Sequence, residues 1–452
     1  MSSERVNFGS KLGIILATAG SAVGLGNIWR FPYLTGENGG AAFLLIYLIS
    51  IFLLGIPAMA AEFAVGRYGK ANAARSYLRI GGKRAWAAVG ILGVLTSIII
   101  LGFYAVVAGW CLQYLFAAAT GALSGSPADV NAYFQSLTTN PVEPILWALV
   151  IILLTHYIVT NGIRKGIERA SKLLMPLLFI LLIVLTVVAC SLPGAAEGVR
   201  FFLMPDFSAI NSTTFFEALG QAFFSLSLGT ACLCTYASYF KDDTKLVNSA
   251  LQIALLDTLI ALLAGLVIFP AAFSVGISPN SGPSLVFLTL PQVFQRVMPA
   301  VPLVGVIMSI GFYFLLVLAA LTSTISMHEI GTAFFREELK LSRRKAALVQ
   351  TSLVSMLAVA CSLSVGAVGG LKVMGLSLLD FCNELTGEVL LPMGALLTCL
   401  LVGWGIPRSI IRSQLTNCGA LVSRSTDVVI FMIRYVCPVC ILLVFIHQLG
   451  VI

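Results

Sequence analysis

Asn27 and Arg30 lie inside an apolar stretch, residues 17–33, among Gly20, Gly24 and Gly26. An arginine at the centre of a bilayer costs roughly 3 kcal/mol on insertion scales. A glycine inside a helix costs about 1 kcal/mol relative to alanine. A helix interrupted at mid-membrane survives only where its freed backbone is buried or lines a cavity. The polar residues and the break together read as a binding site.

A second interruption lies in residues 220–231, where Ser225, Ser227 and Gly229 break another apolar run. For this stretch alone, small residues packing against a neighbouring helix remain an alternative reading. Two interrupted segments at corresponding places in two halves point to the midplane site of a secondary transporter. The breaks lie five spans apart. An odd offset reverses topology, so it implies an inverted repeat.

The elements that must hold these breaks are membrane helices. Of the 452 residues, 59% are hydrophobic and 10% charged, against about 25% charged in soluble domains. Runs near 20 residues, enough for roughly 30 Å of hydrocarbon, give eleven expected spans: 12–36, 41–66, 86–119, 145–161, 167–191, 214–239, 247–273, 302–335, 345–366, 376–404 and 428–450. The fold class is an all-α integral membrane protein in a single transporter domain over 1–452. Its first repeat covers 12–191, its second 214–404, and 428–450 is an extra helix. Residues 276–298 read as a long outer loop able to carry short helices and act as a lid. Positions 1–10 are polar, and no cleavable signal is expected.

The net charge of +8 does not indicate nucleic acid, because about 23 of the 27 Lys and Arg fall in or beside alternate loops. That is the positive-inside pattern. It predicts a cytoplasmic N-terminus, an external C-terminus and, for a bacterial chain, the inner membrane. Cys437 and Cys440 have redox-motif spacing but lie in a spanning run, and read as small buried apolar residues. His156, His328 and His447 are scattered, no catalytic cluster is visible, and the Gly24-Leu-Gly26 run lacks the third glycine and preceding strand of a nucleotide loop. No enzyme is expected.

Further motifs follow in order: Glu37-Asn-Gly-Gly40, Gly55-Ile-Pro57, Gly66-Arg67-Tyr68, Lys165-Gly-Ile-Glu168, Thr235-Tyr-Ala-Ser-Tyr239 and Leu321-Thr-Ser323. With Gly20 to Pro32 and Ser225-Leu-Ser-Leu-Gly229, they closely resemble the neurotransmitter:sodium symporter family over nearly the whole chain. The chain is similar to its eleven-span bacterial amino acid transporters. The resemblance implies inverted five-helix repeats with broken helices 1 and 6, and sodium ions as the coupled species.

It also implies a site. An amino acid is a zwitterion that must leave water, and unwound helices supply both donors and acceptors. Backbone N–H near Leu25 and Gly26 and the hydroxyl of Tyr104 match the carboxylate site. Carbonyls near Ala22, Phe224 and Ser227 match the ammonium site. Ser21, Val23, Ile100, Phe224, Thr230, Ser323 and Met327 match the side-chain pocket, with Ser225 alongside. Sodium wants five or six hard oxygens, as the divalent ions do. The first sodium site maps onto Ala22, Asn27, Ser225 and Asp257, and the second onto Gly20, Val23, Ala319, Thr322 and Ser323. Thr322 and Ser323 could instead bond back to their own helix. Arg30 and Asp380 match the outer gate, with Phe224 and Tyr104 as its aromatic lid. Asp380, Glu384 and Glu388 share one helix face that could line the outer vestibule. Arg5, Ser238, Tyr239 and Glu337 match the inner gate, with Glu338 a rival to Glu337.

Asp257 departs from the family, which usually has Asn there. The positions matching the chloride site of other members are Tyr47, Gln221, Ser225, Asp257 and Ala261, and Ala261 lacks the hydroxyl usual in chloride users. A buried carboxylate without a partner is very costly, so Asp257 is expected to replace chloride, paired with sodium or protonated, with proton antiport as a corollary. The expected function is sodium-coupled symport of a neutral, bulky hydrophobic or aromatic L-amino acid, independent of chloride, by a monomer or homodimer in the lipid bilayer. A membrane amino acid sensor without turnover and a proton-coupled carrier of the same fold are the competing readings.

Overall fold

The computed structural model describes residues 7–123, 127–277, 286–297, 302–421 and 424–448. Among them, nine helices are long and apolar enough to cross a bilayer, and Lys11–Ala22 with Gly26–Glu37 forms a further span bent by 52°. Ser212–Ser225 and Cys232–Ala237 flank the other break and bring the spans to eleven. Spans 1 to 11 are numbered in chain order below. Their bounds follow the hydrocarbon-length runs closely: Arg84–Thr120 for span 3, Glu143–Thr160 for span 4, Ile163–Cys190 for span 5 and Leu246–Ser274 for span 7.

Short polar residues start several helices. Ser10, Asn72, Asn211 and Ser342 each accept a backbone N–H from the first turn they precede, a cap worth about 1 kcal/mol. In a membrane the apolar effect no longer separates helix faces, so close packing decides which spans are central. In span 3, 72% of the apolar window is buried, against 28% in span 5 and 33% in span 4. Span 3 packs most extensively on span 8, Val304–Glu338, while spans 4 and 5 turn much of their surface outward. Close approach needs small residues: a Cβ on Gly109 of span 3 would lie 2.6 Å from the backbone nitrogen of Ala148 in span 4.

Two elements go beyond the expected loops. The connection after span 3 forms a helix, Pro127–Thr139, and a two-residue hairpin, Lys372–Val373 with Leu376–Ser377, joins spans 9 and 10. The outer loop before span 8 carries the helix Thr289–Val297, while its residues 278–285 lie outside the described set. Beside that helix, the Phe287 ring packs on Trp110, Tyr114 and Phe134 at 5.8, 5.2 and 5.8 Å and on Trp29 at 6.4 Å. The loop is thereby seated against spans 1 and 3 at Trp29, Trp110 and Tyr114.

Candidate functional site

Span 1 loses its helix at Val23, which is extended, and resumes as a π-turn over Gly26–Arg30. Gly24 is required there by space. A Cβ would lie 2.5 Å from Ser323 Oγ and 2.9 Å from Tyr104 Oη. In span 6 the chain passes through positive φ at Ser227, Gly229 and Ala231, at 54°, 80° and 59°. Such strain at non-glycine residues concentrates at functional sites. The backbone N–H groups released by the break find a fixed acceptor in span 2, where Gly229 N donates to Glu62 Oε1 at 2.7 Å. The two breaks are tied together by Ser227 Oγ, which donates to the Ser21 carbonyl at 2.9 Å.

Between the breaks lies a cavity of about 50 Å³. Of the expected pocket residues, Ser21, Ala22, Gly26, Ile100, Tyr104, Phe224, Ser227, Thr230, Ser323 and Met327 line it. Val23, Leu25 and Ser225 stand behind the wall. Leu25 reaches the cavity through its backbone: its N–H donates to Tyr104 Oη at 3.0 Å. Among the described residues, no Asp, Glu, Lys, Arg or His lines the cavity. The site can therefore solvate a zwitterion's ends through backbone and hydroxyl groups while its side-chain walls stay uncharged.

The polar residues of the first expected sodium site converge. Asn27 Nδ2 donates to Asp257 Oδ1 at 2.8 Å, and Ser225 Oγ donates to Asp257 Oδ2 at 2.7 Å. Tyr47 Oη donates to the same Oδ2 at 3.4 Å, and Asn27 Oδ1 accepts the Gly24 N–H at 3.1 Å. A buried carboxylate thus sits among three donors, and among the described residues no Lys or Arg is bonded to it. The second set also converges. Thr322 Oγ1 donates to the Val23 and Ala319 carbonyls at 3.2 and 2.9 Å, and Ser323 Oγ to the Val23 carbonyl at 3.2 Å. Gly20 lies beside them, where a Cβ would sit 3.3 Å from Thr322 Cβ. These uncharged oxygens suit a monovalent ion better than a divalent one, which favours carboxylates.

The outer pair is apart. Arg30 donates to Gln221 Oε1 at 2.8 Å and stacks over the Phe224 ring at 4.9 Å, whereas Asp380 Oδ2 accepts from Ser377 at 2.6 Å. No ion pair joins Arg30 and Asp380 among the described residues. Ser377 caps the first turn of span 10 by accepting the Asp380 N–H at 3.1 Å, and its hydroxyl holds the Asp380 carboxylate at that turn. On the inner side Arg5 lies outside the described residues. Ser238 Oγ bonds back to the Thr235 carbonyl, and Glu337 accepts from the Asn72 backbone N–H at 2.8 Å. Glu338, its rival, pairs with Arg75 at 2.7 Å.

Sequence reasoning missed several residues. Cys232, Ser326 and Leu391 line the cavity beside Gly24, which the break had already marked. Tyr239 Oη donates to Glu329 Oε1 at 2.7 Å, and buried Glu329 holds Arg343 at 2.5 Å, joining the foot of span 6 to spans 8 and 9. A glutamate with no charge near it in sequence, inside an otherwise apolar span, was the available signal for Glu329. Glu168 accepts from Gly9 N at 2.7 Å and from Ser10 Oγ at 2.9 Å, fixing the base of span 1 to span 5.

This arrangement has relatives. The model of the Sodium:neurotransmitter symporter family matches residues 5–135 and 132–452. The chain is 38% identical over 453 residues to the uncharacterized sodium-dependent transporter YhdH of Bacillus subtilis (strain 168), covering 100% of this chain and 99% of that one. It is 35% identical over 460 residues to an uncharacterized sodium-dependent transporter of Haemophilus influenzae, covering 99% and 98%. Among solved structures, MhsT in complex with L-phenylalanine superposes with a TM-score of 0.89 at 41% identity, covering 98% of this chain and all of that one. A match to the family model over nearly every residue, with two broken spans around an uncharged cavity, places this chain in the sodium:neurotransmitter symporter family, as a multi-pass, sodium-dependent transporter.

Proposed function

We propose that the protein carries a neutral L-amino acid with a bulky hydrophobic or aromatic side chain into the cell, together with sodium and without chloride. The observation that carries this reading is the cavity between the breaks, whose lining holds no charged side chain and which is flanked by two convergent oxygen sets. The substrate carboxylate meets the N–H groups near Leu25 and Gly26 and the Tyr104 hydroxyl. Its ammonium meets carbonyls of Ala22, Phe224 and Ser227. Thr230, Ile100 and Met327 bound the side chain, and the MhsT complex with L-phenylalanine supports an aromatic ligand.

Asn27, Ser225 and Asp257, with the Ala22 carbonyl, hold the first sodium ion. Gly20, Val23, Ala319, Thr322 and Ser323 hold the second. Asp257 supplies the negative charge beside the first ion, so no chloride is needed. Residues 12–191 and 214–404 act as the two inverted repeats, with 428–450 outside them. Spans 1, 2, 6 and 7 rock against the rest, with the N-terminus in the cytoplasm of a bacterial inner membrane and the C-terminus outside. Arg30 and Asp380 close the outer side; Arg5, Ser238, Tyr239 and Glu337 close the inner side.

The test is uptake of labelled amino acids into proteoliposomes. Phenylalanine, tryptophan, leucine and isoleucine are expected to enter in sodium gluconate as fast as in sodium chloride. Uptake unchanged in choline removes sodium coupling, uptake at background in gluconate removes chloride independence, and a preference for charged or small amino acids removes the substrate assignment.

A further inference from the structure

A groove of about 830 Å³ opens at the joint of spans 4 and 5, lined by Tyr157, Asn161, Arg164, Lys165, Arg169 and Leu173 among others. Its floor is the π-turn Ile163–Glu168, which the chain enters through Gly162 at a φ of 91°. Arg164 and Lys165 of the turn and Arg169, the first residue of the helix that follows, line one side of the groove. Arg164 Nε donates to the Asn7 carbonyl at 2.7 Å, leaving the rest of its guanidinium uncommitted. Among the described residues no carboxylate pairs with Lys165 or Arg169. The acidic residue between them, Glu168, is turned to the other face, where Lys172 holds it at 2.7 Å.

Below the cations the walls are apolar and open to the bilayer. Tyr157 is 70% exposed and Leu173 68% exposed, and they belong to the two spans that bury least of their surface. An aromatic residue of this kind belongs at headgroup depth. Unpaired cations above an outward-facing aliphatic wall complement a molecule with an anionic head and hydrocarbon tails. A soluble anion would use the first feature and leave the second wet.

We propose that this groove binds the headgroup of an anionic phospholipid of the cytoplasmic leaflet, its phosphate on Arg164, Lys165 and Arg169 and its acyl chains along Leu173. Basic pockets between spanning helices on that side are suited to such heads. The site has a mechanical consequence. The inner face of the same turn holds Gly9 and Ser10 through Glu168, so the bound lipid braces the base of span 1, the helix broken at the substrate site. The choice of leaflet rests on the cytoplasmic assignment of the N-terminus made above.

Native mass spectrometry of the full-length, detergent-purified protein, titrated with phosphatidylglycerol or phosphatidylcholine, tests this. The wild type is expected to retain phosphatidylglycerol selectively. The double variant Lys165→Gln/Arg169→Gln is expected to bind it about 25-fold more weakly, the equivalent of about 1 kcal/mol per cation removed. The charge-matched control Arg344→Gln/Lys345→Gln, on the exposed start of span 9, is expected to stay within about twofold of wild type. Equal retention of both lipids overturns the proposal, as does an equal loss in the control. Displacement of phosphatidylglycerol by equimolar inorganic phosphate overturns the lipid as occupant. Unchanged gel-filtration profiles of both variants exclude misfolding as the cause of a loss. Binding is read without transport or sidedness, so its failure leaves the proposed function standing.

Discussion

With Asn27 and Ser225 donating to its two oxygens at 2.8 and 2.7 Å, Asp257 is a buried carboxylate whose charge has to be balanced locally. Leaving one member of a buried ion pair unmatched costs several kcal/mol. On the proposed function, Asp257→Asn takes the counter-charge from the first sodium ion. Uptake in sodium gluconate is expected to fall at least tenfold, with part of it returning in sodium chloride as the anion enters beside Tyr47 and Gln221. Equal activity of the variant in both salts would count against the role given to this carboxylate. Gly24 carries a second test. Its missing Cβ would stand 2.5 Å from Ser323 Oγ and 2.9 Å from Tyr104 Oη, so Gly24→Ala is expected to weaken amino acid binding at least tenfold in a scintillation proximity assay while the protein still folds. Undiminished binding would mean that the carboxylate does not sit here. Asn27 and Ser225 were legible because polar groups in an apolar run are expensive and need a reason, whereas Asp257 was reached only through the family resemblance. Cys232, Ser326 and Leu391 were not. Each is an ordinary membrane residue, and only the rotation of its segment turns it to the cavity.

At the scale of elements, hydrocarbon thickness made the spans readable, since a helix either reaches across or does not. Both breaks could be located from their glycines and serines, and the offset of five gave their relation. The helix Pro127–Thr139 and the hairpin at Lys372–Ser377 lie in water-facing connections, where no such length rule applies. Positive φ at Ser227 and Ala231 was equally hidden, because tertiary packing imposes it on residues with no preference for it. Gly229 is different: its φ of 80° suits glycine, and a Cβ would run into the Leu391 carbonyl. Gly229→Ala is expected to lower the melting temperature by several degrees, since the backbone must shift to relieve the clash with the Leu391 carbonyl on top of a φ that costs about 1 kcal/mol. A melting curve that does not move would show that the break relaxes freely. Glu329 belongs to this scale too, because it links three spans. Removing one partner of a buried pair costs about 3–5 kcal/mol, so Glu329→Gln is expected to free Arg343 and Tyr239 and loosen the inner end. A cysteine placed at Ser21 in a background lacking reactive thiols should then label at least fivefold faster from the cytoplasmic side; an unchanged rate would detach Glu329 from the gate.

For the whole molecule the question is how many charges move per substrate. A zwitterion contributes none, so the membrane field acts only on the ions. One elementary charge crossing about 100 mV is worth roughly 2.3 kcal/mol, and about 1.4 kcal/mol corresponds to one decade. Each sodium ion therefore adds roughly 1.6 decades to the accumulation limit per 100 mV. Two oxygen sets converge beside the cavity, one around Asp257 and one at Val23, Ala319, Thr322 and Ser323. The expected count is two, so the equilibrium substrate ratio should shift by roughly three decades per 100 mV. Reversal-potential measurements in proteoliposomes, with potassium and valinomycin setting the voltage, read this slope directly. A slope of one charge has two physical sources. Either the uncharged set holds no sodium, or Asp257 returns protonated and one proton leaves for every two sodium ions that enter. Acidifying the vesicle interior separates them: it loads a proton onto a returning carboxylate and changes the substrate ratio at fixed voltage, whereas an idle second site leaves that ratio unmoved.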